Sequence, residues 1–248
     1  MPLRTRVDAV MLVSLRLSDD ETRALRKLGI PVALVGVASE AFPSVRVDDA
    51  DGAALAVRHL VDLGHRRIAM VAGVGEAATA VPAPADRRRG YLEVLRGAGI
   101  AVDPSLDVSA AATFDGGVEA MSRLLARRVP PTAVFAESDE MALGVMRAVR
   151  RAGLRVPDDV SVVGFDDHDL ADLMDLTTVA QPAQEQGALA ASLLLDALET
   201  GAGPPADLVL PTRLVPRRST APPRGSAPLG RRDAPPLTRA VAGPRTAC

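Results

Sequence analysis

The sequence is poor in the residue types that usually mark a specialised class of protein. It contains one cysteine, Cys248, no tryptophan, one tyrosine and four phenylalanines among 248 residues. A single cysteine excludes an internal disulfide framework and any metal site built from cysteine pairs. With so few aromatic residues, the core must be packed mainly from alanine, valine and leucine.

The sequence also lacks a dominant charge and a long apolar run. Its 29 basic and 31 acidic residues give a net charge of −2, so it shows no basic field of the kind that nucleic-acid-binding domains carry. The run Val10–Leu15 is far shorter than the ~20 apolar residues that span a bilayer. Residues 1–9 have no apolar segment typical of a secretory signal. We therefore expect a cytoplasmic protein.

What the sequence does contain is a regular alternation of strand and helix patterns. Short β-rich apolar runs alternate with amphipathic segments that have helix-capping residues at one end and glycine at the other, as in Ser18 to Gly29. The predicted strands are Val7–Val13, Pro31–Gly36, Ser44–Asp48, Arg67–Gly73, Thr132–Ala136, Ser161–Phe165, Thr177–Gln181 and Leu208–Val215. Strands separated by helices predict parallel sheets with right-handed crossovers, and so an α/β fold.

The composition changes at Ser219. The segment Ser219–Cys248 is rich in proline, glycine, arginine and alanine and has no hydrophobic periodicity. This composition predicts a disordered tail. Its arginines either contact acidic partners or nucleic acid, or are simply solvated.

Polar side chains follow three of the predicted strands, at the edge where parallel sheets bind ligands. Thr132–Ala136 leads into Glu137, Ser138 and Asp139, and Ser161–Phe165 leads into Asp166 and Asp167. Arg67–Gly73 leads through a loop to Arg87. Ser138 and Asp139 also fit a simple helix cap with a first-turn carboxylate. Asp166 and Asp167 fit Mg²⁺ binding, acid–base chemistry, hydrogen bonding to sugar or nucleoside hydroxyls, or an ordinary loop.

The motifs of common enzymes and metal sites are missing from the sequence. The three histidines, His59, His65 and His168, do not have metal-ligand spacing. There is no phosphate-binding loop, no nucleophile elbow and no complete dinucleotide fingerprint. We therefore expect no catalytic residue, no metal and no cofactor, and a protein that is not an enzyme.

Read together, five stretches resemble the effector-binding core of LacI/GalR-type transcriptional regulators. Their order, spacing and identity agree with that family, which shares its fold with periplasmic sugar-binding proteins. The stretches are HLVDLGHRRIAMVAG (His59–Gly73), RRRGYLEVLRGAGI (Arg87–Ile100), PPTAVFAESDEMALGVMRAVRRAGLRVPDDVSVVGFDD (Pro130–Asp167), LTTVAQPAQEQGALAASLLL (Leu176–Leu195) and LPTRLVPRRST (Leu210–Thr220).

The resemblance implies two Rossmann-like lobes of the periplasmic-binding-protein-like type I fold, with a small ligand in the cleft between them. The N-terminal lobe is expected at 1–48 with 182–207, and the C-terminal lobe at 49–181 with 208–218, followed by a tail at 219–248. Five residues are implied as ligand-binding: Arg87, Ser138, Asp139, Asp166 and Gln181. The ligand is expected to be a small sugar-like effector.

Three departures from the family pattern shape these expectations. The helix-turn-helix is absent from this chain, so operator DNA is expected as a partner only through such a segment. The first two βα units are also absent, so the N-terminal lobe is expected to be incomplete. Ala112 stands where the family often has an aromatic residue that stacks on a sugar ring, and aromatic stacking contributes ~0.5–1.5 kcal/mol.

The sequence leaves two functional hypotheses. The first is the effector-sensing domain of a DNA-binding transcriptional regulator that forms a homodimer in its full-length form. The alternative is a solute-binding protein of a sugar transport system, against which the missing signal peptide counts.

Overall fold

A computed structural model describes residues 7–74, 83–201 and 207–225. Within these ranges strands and helices alternate along the chain, as the sequence predicts. The strands are β1 (Val10–Val13), β2 (Val32–Val35), β3 (Ser44–Val47), β4 (Ile68–Val74), β5 (Asp107–Ala111), β6 (Ala133–Ala136), β7 (Ser161–Asp166), β8 (Thr177–Ala180), β9 (Asp207–Leu210) and β10 (Arg213–Val215). The helices are α1 (Asp19–Leu28), α2 (Asp49–Asp62), α3 (Ala83–Gly97), α4 (Phe114–Leu125), α5 (Asp139–Arg151), α6 (Asp169–Leu173) and α7 (Ala183–Thr200).

Side-chain caps fix where the helices begin. Ser18 and Glu21 form a reciprocal capping box at the start of α1, and Gly29 ends that helix in the left-handed conformation. Asp48, Thr113 and Ser138 accept hydrogen bonds from backbone N–H groups in the first turns of α2, α4 and α5. These caps satisfy donors that a helix cannot satisfy itself, so the first turns are held at the sheet edges.

The strands form two sheets. The smaller sheet has the order β1-β2-β3-β9 and the larger one β10-β8-β7-β6-β4-β5. Every pairing is parallel except that of β10 with β8, which is antiparallel. The parallel α/β architecture predicted from the sequence is confirmed.

Helices cover both faces of the larger sheet. On one face, α2 and α3 pack over Phe135 and Phe165 of the sheet, and Tyr91 of α3 is buried in the same cluster. On the other face, α4 and α5 pack over a cluster of small aliphatic residues that includes Val134 and Val162. Alanine, valine and methionine supply most of both clusters, as the low aromatic content requires.

The smaller sheet has a thinner core. Helix α7 covers Ala33, Val35 and Val45 on one face. On the other face, Leu25 of α1 and Phe42 pack against the cluster of Val32, Leu34 and Val37. No residue of α1 is fully buried.

The structure corrects two boundaries expected from the sequence. Asp207–Leu210 forms β9 and pairs with β3, so this stretch joins the smaller sheet instead of the larger one. Only the part from Arg213 onward pairs within the larger sheet. A local strand pattern cannot show which of two sheets a strand joins, which is why the boundary was misplaced.

The second correction concerns the start of the predicted tail. Residues 219–225 lie against the larger sheet instead of being disordered. Ser219 exchanges backbone and side-chain hydrogen bonds with Val162, and the Ala221 N–H donates to Ser161. The rest of the predicted tail, 226–248, lies outside the described residues. Within the described ranges, no helix is long and apolar enough to cross a membrane.

Candidate functional site

The candidate site lies at the carboxyl ends of β6, β7 and β8, where α2, α3 and α5 begin. Arg87 in the second turn of α3 is its centre, and its side chain is only 11% exposed. Its Nε donates to the Asp49 carboxylate at 2.8 Å, and one terminal nitrogen donates to the Glu137 carbonyl. The guanidinium carbon stands 3.7 Å above the centre of the Phe165 ring. Arg87 is therefore fixed in position by the protein itself.

Asp166 is the second element of the site. It ends β7 with a φ of 124°, a backbone conformation that residues other than glycine rarely adopt. Its carboxylate lies 3.8 Å from Arg87 and accepts a hydrogen bond from the Gln181 amide at 2.7 Å. Burial raises the pKa of Asp166, while Arg87 and Gln181 act in the opposite direction. A third of the side chain remains exposed, so the carboxylate is open to a ligand.

Ser138 and Asp139 have internal partners. The Ser138 hydroxyl accepts from the Met141 N–H, as expected for a helix cap. Asp139 is 1% exposed and accepts from the Thr178 hydroxyl and the His168 N–H. Burial raises its pKa to about 6. Asp139 therefore joins α5 to β8 and to the loop after β7.

The carboxylates of Asp166 and Asp167 point to different partners. Asp167 accepts from Arg217 at 2.8 Å, and Asp166 contacts Arg87 and Gln181. The two carboxylates therefore belong to different ion pairs, one with Arg87 and the other with Arg217. Among the described residues, no group of three or more histidine, cysteine or acidic side chains could hold a metal ion.

Of the five predicted residues, the structure brings Arg87, Asp166 and Gln181 together, with Ser138 and Asp139 beside them as supports. It also shows two site residues that the sequence reasoning did not select, Asp49 and Glu137. Asp49 pairs with Arg87 from the first turn of α2. Glu137 is a charged residue directly after a fully buried strand, and this signal was present in the sequence.

A cavity of about 220 Å³ continues from Asp49 toward the smaller sheet. Its lining comes from both sides of the boundary between the sheets: Arg16, Gly36, Val37, Ala38, Arg46, Val47, Asp48, Asp49, Asp86 and Arg89. The arginine at the centre of the site therefore shares its partner Asp49 with a polar cleft between the two sheets.

The arrangement can bind a small polyhydroxylated molecule. A carboxylate accepts hydrogen bonds from hydroxyls, and a guanidinium or amide N–H donates to oxygen. Asp166, Arg87 and Gln181 supply both kinds of group within a few ångströms of one another.

Comparison with known proteins agrees with this geometry. A family profile described as a periplasmic binding protein-like domain matches residues 57–220. The transcriptional regulator CelR of Thermobifida fusca is 38% identical over 219 residues, which cover 86% of this chain and 63% of CelR. The repressor CytR of Escherichia coli K12 is 38% identical over 198 residues, covering 78% of this chain and 57% of CytR. The chain thus spans about three fifths of the length of these two relatives.

Solved structures show the same likeness. A CelR–cellobiose complex is 39% identical with a TM-score of 0.77, covering 86% of this chain and 66% of that one. A LacI-type regulator from a Rhodococcus species is 37% identical with a TM-score of 0.78, covering 89% of this chain and 80% of that one. A LacI family regulator from Enterococcus faecium, solved with ribose, is 33% identical with a TM-score of 0.78. The match covers 89% of this chain and 82% of that one. By its sequence and its fold, the chain belongs to the LacI family of transcriptional regulators.

Proposed function

We propose that this chain is the effector-sensing domain of a DNA-binding transcriptional regulator and binds a small sugar-like ligand in the cleft between its two sheets. The observation that carries the proposal is Arg87, which Asp49, Phe165 and Glu137 hold in place beside the partly exposed Asp166 carboxylate. A preorganised donor next to an accessible acceptor suits a ring with hydroxyls on adjacent carbons. The relatives solved with cellobiose and with ribose support this ligand class.

The regulator is favoured over the alternative of a transport solute-binding protein. The relatives matched over most of this chain are named as regulators and repressors. We propose a cytoplasmic binding protein and no enzymatic activity. We propose that each sheet is the centre of one lobe. One lobe comprises 1–48 and 182–210, and the other comprises 49–181 and the strand that begins at Arg213.

Two macromolecular partners belong to the proposal. Operator DNA is contacted through the helix-turn-helix for which the relatives are named, and effector and operator binding are then coupled by ~1–3 kcal/mol. The full-length regulator forms a homodimer. The face of α5 and α6 suits a second copy, because the exposed Leu170 and Leu173 lie there beside Arg147, Arg150 and the exposed Asp172.

Calorimetry with a panel of sugars tests the proposal, using the Asp166→Asn variant. Asparagine tolerates the positive φ at this position better than alanine does, so the change removes charge with little backbone strain. A hydrogen bond to a charged group contributes ~1.5–3 kcal/mol, and we expect binding to weaken roughly ten- to a hundredfold.

Asp62→Asn is the matched control. Asp62 is exposed at the far end of α2 from Asp49, so this variant should bind as the unchanged chain does. A sugar that binds the unchanged chain and Asp166→Asn equally well would show that the ligand lies elsewhere.

A further inference from the structure

Glu137 is a buried side chain whose polar groups are only partly satisfied. It follows β6 and is 5% exposed. Its backbone is fully used, because the N–H donates to the Val71 carbonyl at 3.0 Å and the carbonyl accepts from Arg87. Its carboxyl oxygen Oε2, by contrast, is buried and has no hydrogen-bond partner among the described residues. Such groups are rare in folded proteins and point to a missing partner.

Two small residues make room for this carboxyl group. A Cβ atom added to Gly73, near the end of β4, would overlap Glu137 Oε1 and would stand 2.7 Å from the Ala112 Cβ. The Glu137 side chain therefore fills the gap between the end of β4 and Ala112.

The charges around Glu137 do not balance within the protein. Arg87 faces it from α3, Asp166 from β7 and Asp49 from α2, while the buried Asp139 follows two residues later in α5. Residues Gly73 and Ala112 carry no titratable group. Arg87 is already paired with Asp49 at 2.8 Å, so Asp166 and Glu137 are left without a full counter-charge. Burial raises the pKa of Glu137 to about 7, and Asp166 and Asp49 act in the same direction.

We propose that Glu137 makes this cleft select a polyhydroxylated ligand that carries a protonated amine, whose N–H groups donate to Oε2. An ammonium group supplies both what the carboxyl lacks, a donor and a positive charge. A neutral hydroxyl would supply the donor only. This inference rests on the proposed function, since it names the ligand class of the same site.

Matched pairs of sugars test the inference by calorimetry at pH 7 on the full chain. The pairs are glucosamine with glucose, galactosamine with galactose and mannosamine with mannose. In the pair with the right stereochemistry, we expect the amine to bind roughly tenfold or more tightly than its parent sugar. Glu137→Gln should abolish this preference, so that the amine and its parent sugar bind within about twofold of each other. Asp166→Asn should weaken the binding of both the amino sugar and its parent sugar.

The pH dependence provides an independent readout. Binding of a cation requires the ionised carboxylate, so the amino sugar should lose about fivefold in affinity between pH 7 and pH 6 relative to its parent sugar. Protonation of Asp139 and Asp166 affects the unchanged chain and Glu137→Gln alike. The affinity ratio should therefore fall further in the unchanged chain than in Glu137→Gln, and the difference reports Glu137.

The outcomes separate the inference from the proposed function. Equal affinity of both members of a pair overturns the role of Glu137 and leaves the sugar site standing. If no member of any pair binds, both the role of Glu137 and the proposed sugar site are overturned. Should Glu137→Gln not fold, the N-acetyl derivative of the bound amino sugar replaces it as the test, because acetylation removes the charge. Undiminished binding of that neutral derivative would also overturn the inference.

Discussion

At the scale of single residues, His65 is a buried side chain outside the cleft with polar partners on both ring nitrogens. It is 1% exposed, with one ring nitrogen 2.9 Å from the Thr132 hydroxyl. The other ring nitrogen lies 3.1 Å from the Ser161 hydroxyl and 2.9 Å from the Ala221 carbonyl. His65 therefore joins the end of α2 to the larger sheet and to the segment 219–225.

This environment makes stability depend on pH. Burial lowers the pKa of His65 below 6.5, and the neighbouring His59 acts in the same direction. Below about pH 6.5 the unfolded chain therefore takes up more protons than the folded one, and the contribution of His65 to stability falls as the pH decreases. The raised pKa values of Glu137 and Asp139 act with the opposite sign, so the wild-type curve alone does not isolate His65.

We expect the advantage of the wild-type chain over His65→Gln to shrink between pH 7.5 and pH 5.5. Glutamine does not titrate, so the difference between the two curves reports the protonation of His65. Urea unfolding followed by circular dichroism at several pH values measures it. If the stabilities of the wild-type chain and His65→Gln changed in parallel over this pH range, the lowered pKa of His65 would be contradicted.

The sequence was informative about single residues only where they form a local pattern. Ser18 and Ser138 were recognisable as caps because a cap needs only its own first helical turn. Arg87, Asp166 and Gln181 were reached through the resemblance. The pairing of Arg87 with Asp49 spans 38 residues, and nothing in the spacing along the chain indicates it.

At the scale of elements, glycine sets how closely the helices approach. Gly90 of α3 faces the start of α2, where an added Cβ atom would overlap the Ala50 carbonyl. Helices α2 and α3 can thus pack backbone against backbone, and this contact carries Arg87 toward Asp49. A Cβ atom added to Gly187 of α7 would have no neighbouring atom within 4 Å.

The two glycines form a matched pair for a test. Gly90→Ala should lower the free energy of unfolding by about 1–3 kcal/mol, because the backbone at Ala50 cannot move aside cheaply. Gly187→Ala should raise it by about 0.5–1 kcal/mol, because alanine is the better helix former and meets open space. Denaturant unfolding measures both. If Gly90→Ala raised the stability, α2 and α3 would have room for an added methyl group between them.

At the scale of the whole molecule, the two sheets differ in how well they are buried. All four residues of β6 are buried, whereas β1 alternates between half-buried and exposed residues and ends at Val13, which is 62% exposed. Helix α1 contributes no fully buried residue beside it. Local opening follows burial and contact density, so the smaller sheet should open more readily.

Hydrogen exchange followed by mass spectrometry or NMR tests this difference. We expect the amides of β6 and β7 to exchange slowly and those of β1 to exchange faster. Equal protection of the two sheets would contradict the expectation.

The sequence predicted the type of sheet but not the assignment of every segment to it. Apolar runs and caps indicate strands, helices and parallel pairing, because these depend on periodicity within a few residues. The sheet that β9 joins depends on an Arg46–Asp207 ion pair, which spans 161 residues, and on the pairing with β3. The packing of Ser219 likewise depends on Val162 and Thr177. Composition alone could not show either contact.

The discontinuous smaller sheet also has a consequence for synthesis on the ribosome. Its first three strands are complete at Val47, but the helix that covers Ala33, Val35 and Val45 begins only at Ala183, and the fourth strand at Asp207. At about 5–20 residues per second, translation separates these events by on the order of ten seconds. For that interval the nascent chain presents an apolar strand surface that chaperones bind. Strands β4 to β8 of the larger sheet are synthesised within that interval, and only its edge strand β10 follows β9.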